Sequence, residues 1–157
     1  MMRICLHGPE STGKSTLATR LAAHFGCEVV PEYGRAYCEV HGTDIGMAEL
    51  VHIARTQDAM NRAAAARGGQ LVLFDTDPLI TAVWAKMMFD EQDPWFAGFT
   101  GYADLYLLLD IDLPFVDDGL RVYAAPEQRR HFLDLCKAEL DHRGVRYTLI
   151  RGEGEAR

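Results

Sequence analysis

The chain is expected to fold as an α/β protein, with a mainly parallel sheet of about five strands and helices on both faces. Three observations predict this. Short apolar runs alternate with helical patterns along the 157 residues. A glycine-rich loop, Gly8-Pro9-Glu10-Ser11-Thr12-Gly13-Lys14-Ser15, stands between the first apolar run and the first helical pattern. Polar clusters follow the ends of successive runs, and right-handed crossovers carry those ends to one edge of the sheet.

In chain order, 3–7 is a short apolar run bounded by the loop, the mark of a buried parallel strand. Over 14–25, Leu17, Ala18, Leu21, Ala22 and Phe25 recur at helical spacing, and Gly26 is placed to stop the helix. A second strand, 27–30, ends at Pro31, and Glu32-Tyr33-Gly34-Arg35 follows as a polar cluster. Leu50, Ile53, Ala54, Gln57, Met60 and Ala64 predict a long helix over 47–67, closed by Gly68-Gly69. A third strand, 71–74, runs into Asp75-Thr76-Asp77-Pro78, and a helix is expected over 79–88 with Pro78 in its first turn. Residues 90–101 read as a loop or a short helical excursion. A fourth strand spans 105–109, and 114–126 is irregular. Phe132, Leu135, Cys136 and Leu140 give an amphipathic helix over 127–142, stopped by Gly144. A last strand spans 146–150, and the tail after Gly152 is expected to fray.

Composition narrows the class. An apolar share of 48% and a charged share of 25% are ordinary for a globular domain, and the length suits a single domain over 1–157. The net charge of −7, with no basic stripe, argues against nucleic acid as a partner. No apolar run approaches the ~18 residues of a membrane span, and no signal peptide precedes the first strand, so a cytoplasmic, non-membrane protein is expected. Cys5, Cys27, Cys38 and Cys136 show no metal spacing; Cys5, Cys27 and Cys136 sit in apolar patterns and read as buried thiols. The six histidines form no ligand constellation.

The loop satisfies G-x-x-x-x-G-K-[ST] in strand–loop–helix context, which makes the fold a three-layer P-loop NTPase sandwich. Its glycines let successive amides point at phosphate oxygens, and the helix that follows adds partial positive charge. Gly8, Glu10, Ser11, Thr12, Gly13, Lys14, Ser15 and Thr16 are therefore the expected ATP-binding residues, with Lys14 on the β- and γ-phosphates and Ser15 on Mg²⁺.

Asp75 closes an apolar strand, the place for a carboxylate that holds Mg²⁺ directly or through water; it could instead cap the next helix. Asp77 could be a second metal carboxylate, a base for an acceptor hydroxyl, or a hydrogen-bond partner of a sugar. Glu32 is the other candidate base, with Arg35 pairing with it or touching a phosphate. Asp117-Asp118-Gly119-Leu120-Arg121 lies where a lid loop would carry a phosphoryl-stabilising arginine; Arg121 is the first choice, Arg129 and Arg130 the second. Of Tyr33, Trp84, Phe89, Trp95, Phe96 and Tyr102, the Trp95-Phe96 pair is placed to stack on a flat ring.

These residues together resemble the ribosylnicotinamide kinase domain of NadR-type proteins, within a NadR-like family of AAA-type P-loop ATPases. The matching pieces are Gly8 to Leu17, Pro31-Glu32-Tyr33-Gly34-Arg35, Ile53-Ala54 with Gln57, Leu73-Phe74-Asp75-Thr76-Asp77, Thr81, Asp104 to Leu108, Pro114 with Val116, and Asp118-Gly119-Leu120-Arg121. Phe115 stands where the family often has Trp. The resemblance implies phosphorylation of the 5′-hydroxyl of nicotinamide riboside by ATP and Mg²⁺, in NAD supply. Only the kinase part of the bifunctional architecture is expected. Glu32, Tyr33, Arg35, Asp77 and Trp95 are the acceptor-side candidates, and Lys14, Glu32, Asp77 and Arg121 the catalytic ones. The partner is then a small nucleoside-like substrate. The alternative is a nucleotide-dependent switch or regulatory ATPase, which has no acceptor.

Overall fold

A parallel five-stranded sheet in the order β2-β3-β1-β4-β5 organises the chain. The computed structural model describes residues 1–117 and 119–152. Asp118 of the expected lid, and the tail after Gly152, lie outside the described residues. The strands are β1 (Met2–His7), β2 (Glu28–Val30), β3 (Leu71–Asp75), β4 (Leu105–Leu109) and β5 (Tyr147–Ile150). The helices are α1 (Lys14–Phe25), α2 (Tyr33–His41), α3 (Met47–Ala66), α4 (Pro78–Phe89), α5 (Pro94–Gly98) and α6 (Pro126–Arg143).

Alternation along the strands explains the three layers. Cys5, Phe74, Tyr106 and Leu108 point to one face, where they pack with Leu79 and Val83 of α4 and Phe132 and Cys136 of α6. Their sequence neighbours Leu6 and Leu109 point to the other face and meet Leu17 and Ala18 of α1. Each crossover returns the chain to the same end of the sheet, so every strand points its carboxyl end at one edge.

Helix ends follow local chemistry. Gly26 and Gly144 close α1 and α6 in the left-handed conformation, as expected from sequence. Glu49 reaches back to accept the amide of Gly46 at the start of α3, and Asp93 caps α5 through the amide of Trp95. Two expectations need correction. Cys27 is half-buried rather than buried. The polar cluster after β2 opens a nine-residue helix, α2, that the pattern did not announce. None of its residues is buried, and Gly34 weakens its intrinsic helicity. Packing supplies what propensity does not: Gly34 sits against Ile53 of α3, and the Tyr37 and His41 rings, one turn apart, meet at 4.3 Å with their planes tilted by 32°. Among the described residues, no helix is long and apolar enough to cross a membrane.

Candidate active site

The loop after β1 is shaped for an anion. Gly8 has φ +140°, and a Cβ there would stand 2.8 Å from the Leu109 carbonyl oxygen, so only glycine fits. Thr12 is buried, and its hydroxyl donates to the Pro9 carbonyl at 2.8 Å, holding the curl. Lys14 Nζ spans the loop, donating to the Gly8 and Pro9 carbonyls at 2.9 and 2.7 Å. The first turn of α1 has neither a side-chain cap nor an acidic residue, which leaves its amides and the helix dipole directed at the loop.

Sheet register brings Asp75 to this loop. Asp75 pairs with Leu6, next to the end of β1, and Ser15 Oγ donates to Asp75 Oδ2 at 2.6 Å. Asp75 Oδ1 is buried and has no hydrogen-bond partner among the described residues. The next residue, Thr76, is β-branched yet has φ +80°, a strained conformation costing about 1–3 kcal/mol.

Asp77 has a different task from the one its position suggests. It is 1% exposed and caps α4, accepting the amide of Leu79 at 2.9 Å on Oδ1, while the Tyr106 hydroxyl donates to Oδ2. Burial pushes its carboxyl up to about 7, against the opposing effect of these two hydrogen bonds. The cap of α4 is Asp77, not Asp75. The structure does not bring Asp77 to the cavity as a base or sugar ligand, because both of its oxygens are engaged in the core.

A cavity of about 620 Å³ runs from the loop to the far side of the strand ends. Its phosphate end is lined by Gly8 and Glu10 through Thr16, and Arg121 faces the same space. Glu32 lines the middle, at the N-cap position of α2. Desolvation raises the Glu32 carboxyl above the ordinary carboxylate range; Lys14 opposes the shift, Asp75 adds to it, and Arg35 and Arg121 oppose it. Arg35 also lines the cavity, and it forms an ion pair with Glu39 at 3.5 Å, one turn along α2.

The far end is apolar, walled by Ile45, Leu50, Ile53, Ile80, Trp84 and Met88. The ring in this wall is not the expected Trp95. Trp95 belongs to α5 and packs on Phe96 and Phe99, away from the cavity. Trp84 takes the cavity position instead, 5.6 Å from the Tyr123 ring and 4.8 Å from Phe132. The signal was available: Ile80, Trp84 and Met88 recur every four residues along α4, one face directed at the strand ends. Tyr33 does not line the cavity either; its amide binds Gln57 and its hydroxyl meets His52 at 3.2 Å.

Residues 113–117 and 119–125 cross the phosphate end as a strap tied to the loop. Ser11 Oγ accepts the Val116 amide at 2.8 Å and an Arg121 guanidinium N–H at 3.3 Å. Arg121 also donates to the Val116 carbonyl. Glu10 accepts the Val122 amide at 3.0 Å, and burial pushes the Glu10 carboxyl up to about 7. From α6, Arg129 donates to the Leu113 and Ser11 carbonyls at 3.2 and 3.4 Å and lies over the Phe115 ring. Arg129 is thus a buttress of the strap, Arg121 its cavity-facing arginine, and Arg130 is exposed.

A family model described as an AAA domain matches residues 3–157. The chain belongs to this AAA-domain family. It is 28% identical over 156 residues to the trifunctional NAD biosynthesis/regulator protein NadR of Escherichia coli (strain K12), covering 96% of this chain and 38% of that protein. The NadR of Salmonella typhimurium is 27% identical over 154 residues, covering 94% of this chain and 38% of that one. The chain therefore spans well under half the length of these curated relatives. A crystal structure of NadR protein in complex with NR superposes with a TM-score of 0.85 at 25% identity, over 99% of this chain and 47% of that one. A deoxyadenosine kinase from M. mycoides shares the fold at TM-score 0.66 and 14% identity, over 99% of this chain and 93% of that one.

The resemblance carried by the sequence motifs is to the same NadR proteins, and the P-loop fold is that of nucleoside kinases. In this AAA-domain protein the loop, Ser15 with Asp75, Glu32, Arg35 and Arg121 come together around one cavity or in direct contact with its lining. Tyr33, Asp77 and Trp95 do not line it.

Proposed function

We propose that this chain is a kinase that transfers the γ-phosphoryl group of ATP to the 5′-hydroxyl of nicotinamide riboside or a closely related nucleoside. The observation that carries this reading is the continuous cavity: one end is a phosphate loop, the middle holds Glu32, and the far end is an apolar pocket with Trp84 in its wall. A nucleotide switch has no use for that third part. The similarity to NadR proteins, one of them in complex with NR, supports the choice of acceptor.

The donor set fits ATP with a divalent cation. The amides of the loop and of the first turn of α1 suit phosphate oxygens, and Lys14, held by the Gly8 and Pro9 carbonyls, supplies a positive charge beside them. Ser15 and Asp75 would hold Mg²⁺, since a hydroxyl and a carboxylate with one unpartnered buried oxygen suit a hard cation. When bound, Mg²⁺ offsets the charge of the β- and γ-phosphates. Glu32 takes the proton of the acceptor hydroxyl; the hydroxyl oxygen bonds to the γ-phosphorus as the bond to the bridging oxygen breaks, and ADP leaves. Arg121, held at the strap by Ser11 and the Val116 carbonyl, faces the charge on the transferring group.

The test is incubation with ATP, Mg²⁺ and a panel of nucleosides that includes nicotinamide riboside, with mass detection of the monophosphate. Nicotinamide mononucleotide should appear, Lys14→Ala should abolish it, and Glu32→Gln should lower kcat about 10²–10⁴-fold. ATP hydrolysis with no phosphorylated product from any acceptor would sink the kinase reading in favour of the switch.

A further inference from the structure

Two buried amides on α3 occupy the place where the sheet stops. β2 and β3 pair only as far as Val30 with Phe74, so the functional residues just beyond, Glu32 and Asp75, have no ladder between them. Gln57 and Asn61, 2% and 5% exposed and one turn apart, bridge that gap. The Tyr33 amide donates to Gln57 Oε1 at 2.7 Å, and Gln57 Nε2 donates to the Pro31 carbonyl at 3.1 Å. Gln57 Nε2 also donates to Asn61 Oδ1 at 3.1 Å, and Asn61 Nδ2 donates to the Thr76 carbonyl at 3.2 Å.

The partners dictate the direction of the whole chain of bonds. A backbone N–H can only donate and a carbonyl can only accept, so the ends at Tyr33, Pro31 and Thr76 fix both amides in one orientation. Both hydrogens on Gln57 Nε2 are spent within the protein. Although Gln57 lines the cavity, it has no donor left for a ligand. The bonded backbone atoms bracket Glu32 on both sides and anchor Thr76, the left-handed residue directly after Asp75.

We infer that Gln57 and Asn61 are positioning residues, which lock Glu32 and Asp75 into one unit across the end of the sheet. The inference rests on the kinase reading for the roles of those two carboxylates. Losing either link lets the acceptor base and the metal-holding carboxylate drift apart, and a displacement of about an ångström at a reacting centre can cost about 100-fold in rate.

The test uses the full chain with Gln57→Met, Asn61→Leu and the double variant, together with Gln57→Glu, which keeps size and acceptor but removes both donors. Steady-state kinetics, the half-saturating Mg²⁺ concentration, equilibrium binding of a fluorescent ATP analogue with and without Mg²⁺, and thermal melting are measured for each. Each single variant should lose about 10–100-fold in kcat. Asn61→Leu should also raise the half-saturating Mg²⁺ about 5-fold or more while analogue binding without Mg²⁺ stays within about 2-fold. The double variant should fall little below the worse single one, because either break opens the same chain. Folded variants with a lowered melting temperature but with kcat and Mg²⁺ dependence within about 2-fold of wild type would overturn the inference and leave a packing role. Should Gln57→Met or Asn61→Leu not fold, Gln57→Glu decides by the same kcat criterion. If the unaltered chain phosphorylates no nucleoside, the kinase reading falls, and the Mg²⁺ dependence of analogue binding in Asn61→Leu decides the positioning role by itself.

Discussion

Asp77→Asn separates a structural carboxylate from a catalytic one. Asp77 is held by the Leu79 amide and the Tyr106 hydroxyl in the core, and burial moves its pKa from the ordinary 3.8 to about 7. Between those values the folded chain keeps a proton that the unfolded chain has released. The unfolded state then binds fewer protons, so stability falls as pH rises through the window and the loss is complete above about 7. Roughly three pKa units at about 1.4 kcal/mol each amount to a loss of about 4 kcal/mol. Asparagine keeps the shape and the cap oxygen for Leu79, presents an NH₂ group to the Tyr106 oxygen, and does not titrate. Urea unfolding at pH 5, 6, 7 and 8 should show the variant gaining on wild type by about 2–3 kcal/mol from pH 5 to pH 7, then levelling off. Turnover should stay within about 3-fold, because the cavity is untouched. A pH-independent stability difference would refute the buried titration. A 100-fold loss of turnover in a stable variant would refute the cap assignment and restore Asp77 as a base.

Three other perturbations probe the remaining parts of the site. Glu10→Ala removes the acceptor of the Val122 amide, a hydrogen bond worth about 1–3 kcal/mol when the carboxylate is charged, so trypsin should cut after Arg121 several-fold faster than in wild type. Because burial holds Glu10 near 7, the gap between variant and wild type should narrow as pH falls below that value. Trp84→Ala should raise the acceptor KM about 10-fold while the ATP KM moves less than about 2-fold. Trp95→Ala should instead lower stability by about 2–3 kcal/mol and leave both constants alone. Gly8→Ala forces a Cβ to within 2.8 Å of the Leu109 carbonyl at φ +140°, so it should cost about 1–3 kcal/mol in unfolding and weaken ATP-analogue binding more than about 10-fold.

Local chemistry makes much of this legible in the sequence alone. The loop from Gly8 to Thr16 is encoded by residues in contact with one another along the chain, so its glycines, its lysine and its place between strand and helix could be read directly. The same holds for helix stops at Gly26 and Gly144 and for strands that are continuous apolar runs. Helix α2 escaped because much of its support comes from Ile53 against Gly34 and from Gln57, which lie outside its own nine residues. Asp75 and Asp77 are two residues apart and equal on composition. What separates them is Ser15, sixty positions away, and Tyr106, twenty-nine positions away. Trp84 and Trp95 differ in the same way, by which helix face the packing of α4 and α5 turns toward the strand ends.

The sequence by itself determined the α/β alternation, the glycine-rich loop and its lysine, and the carboxylates that were candidates for the site. Only the tertiary structure decided the strand order β2-β3-β1-β4-β5 that puts Asp75 beside the loop, the burial that retires Asp77, and the amide chain that ties Glu32 to Asp75. The physical reason is range. Turns, caps and periodicity are settled by neighbours within a few residues, whereas register, desolvation and the direction of a hydrogen-bond chain depend on groups the backbone brings together from far along its length.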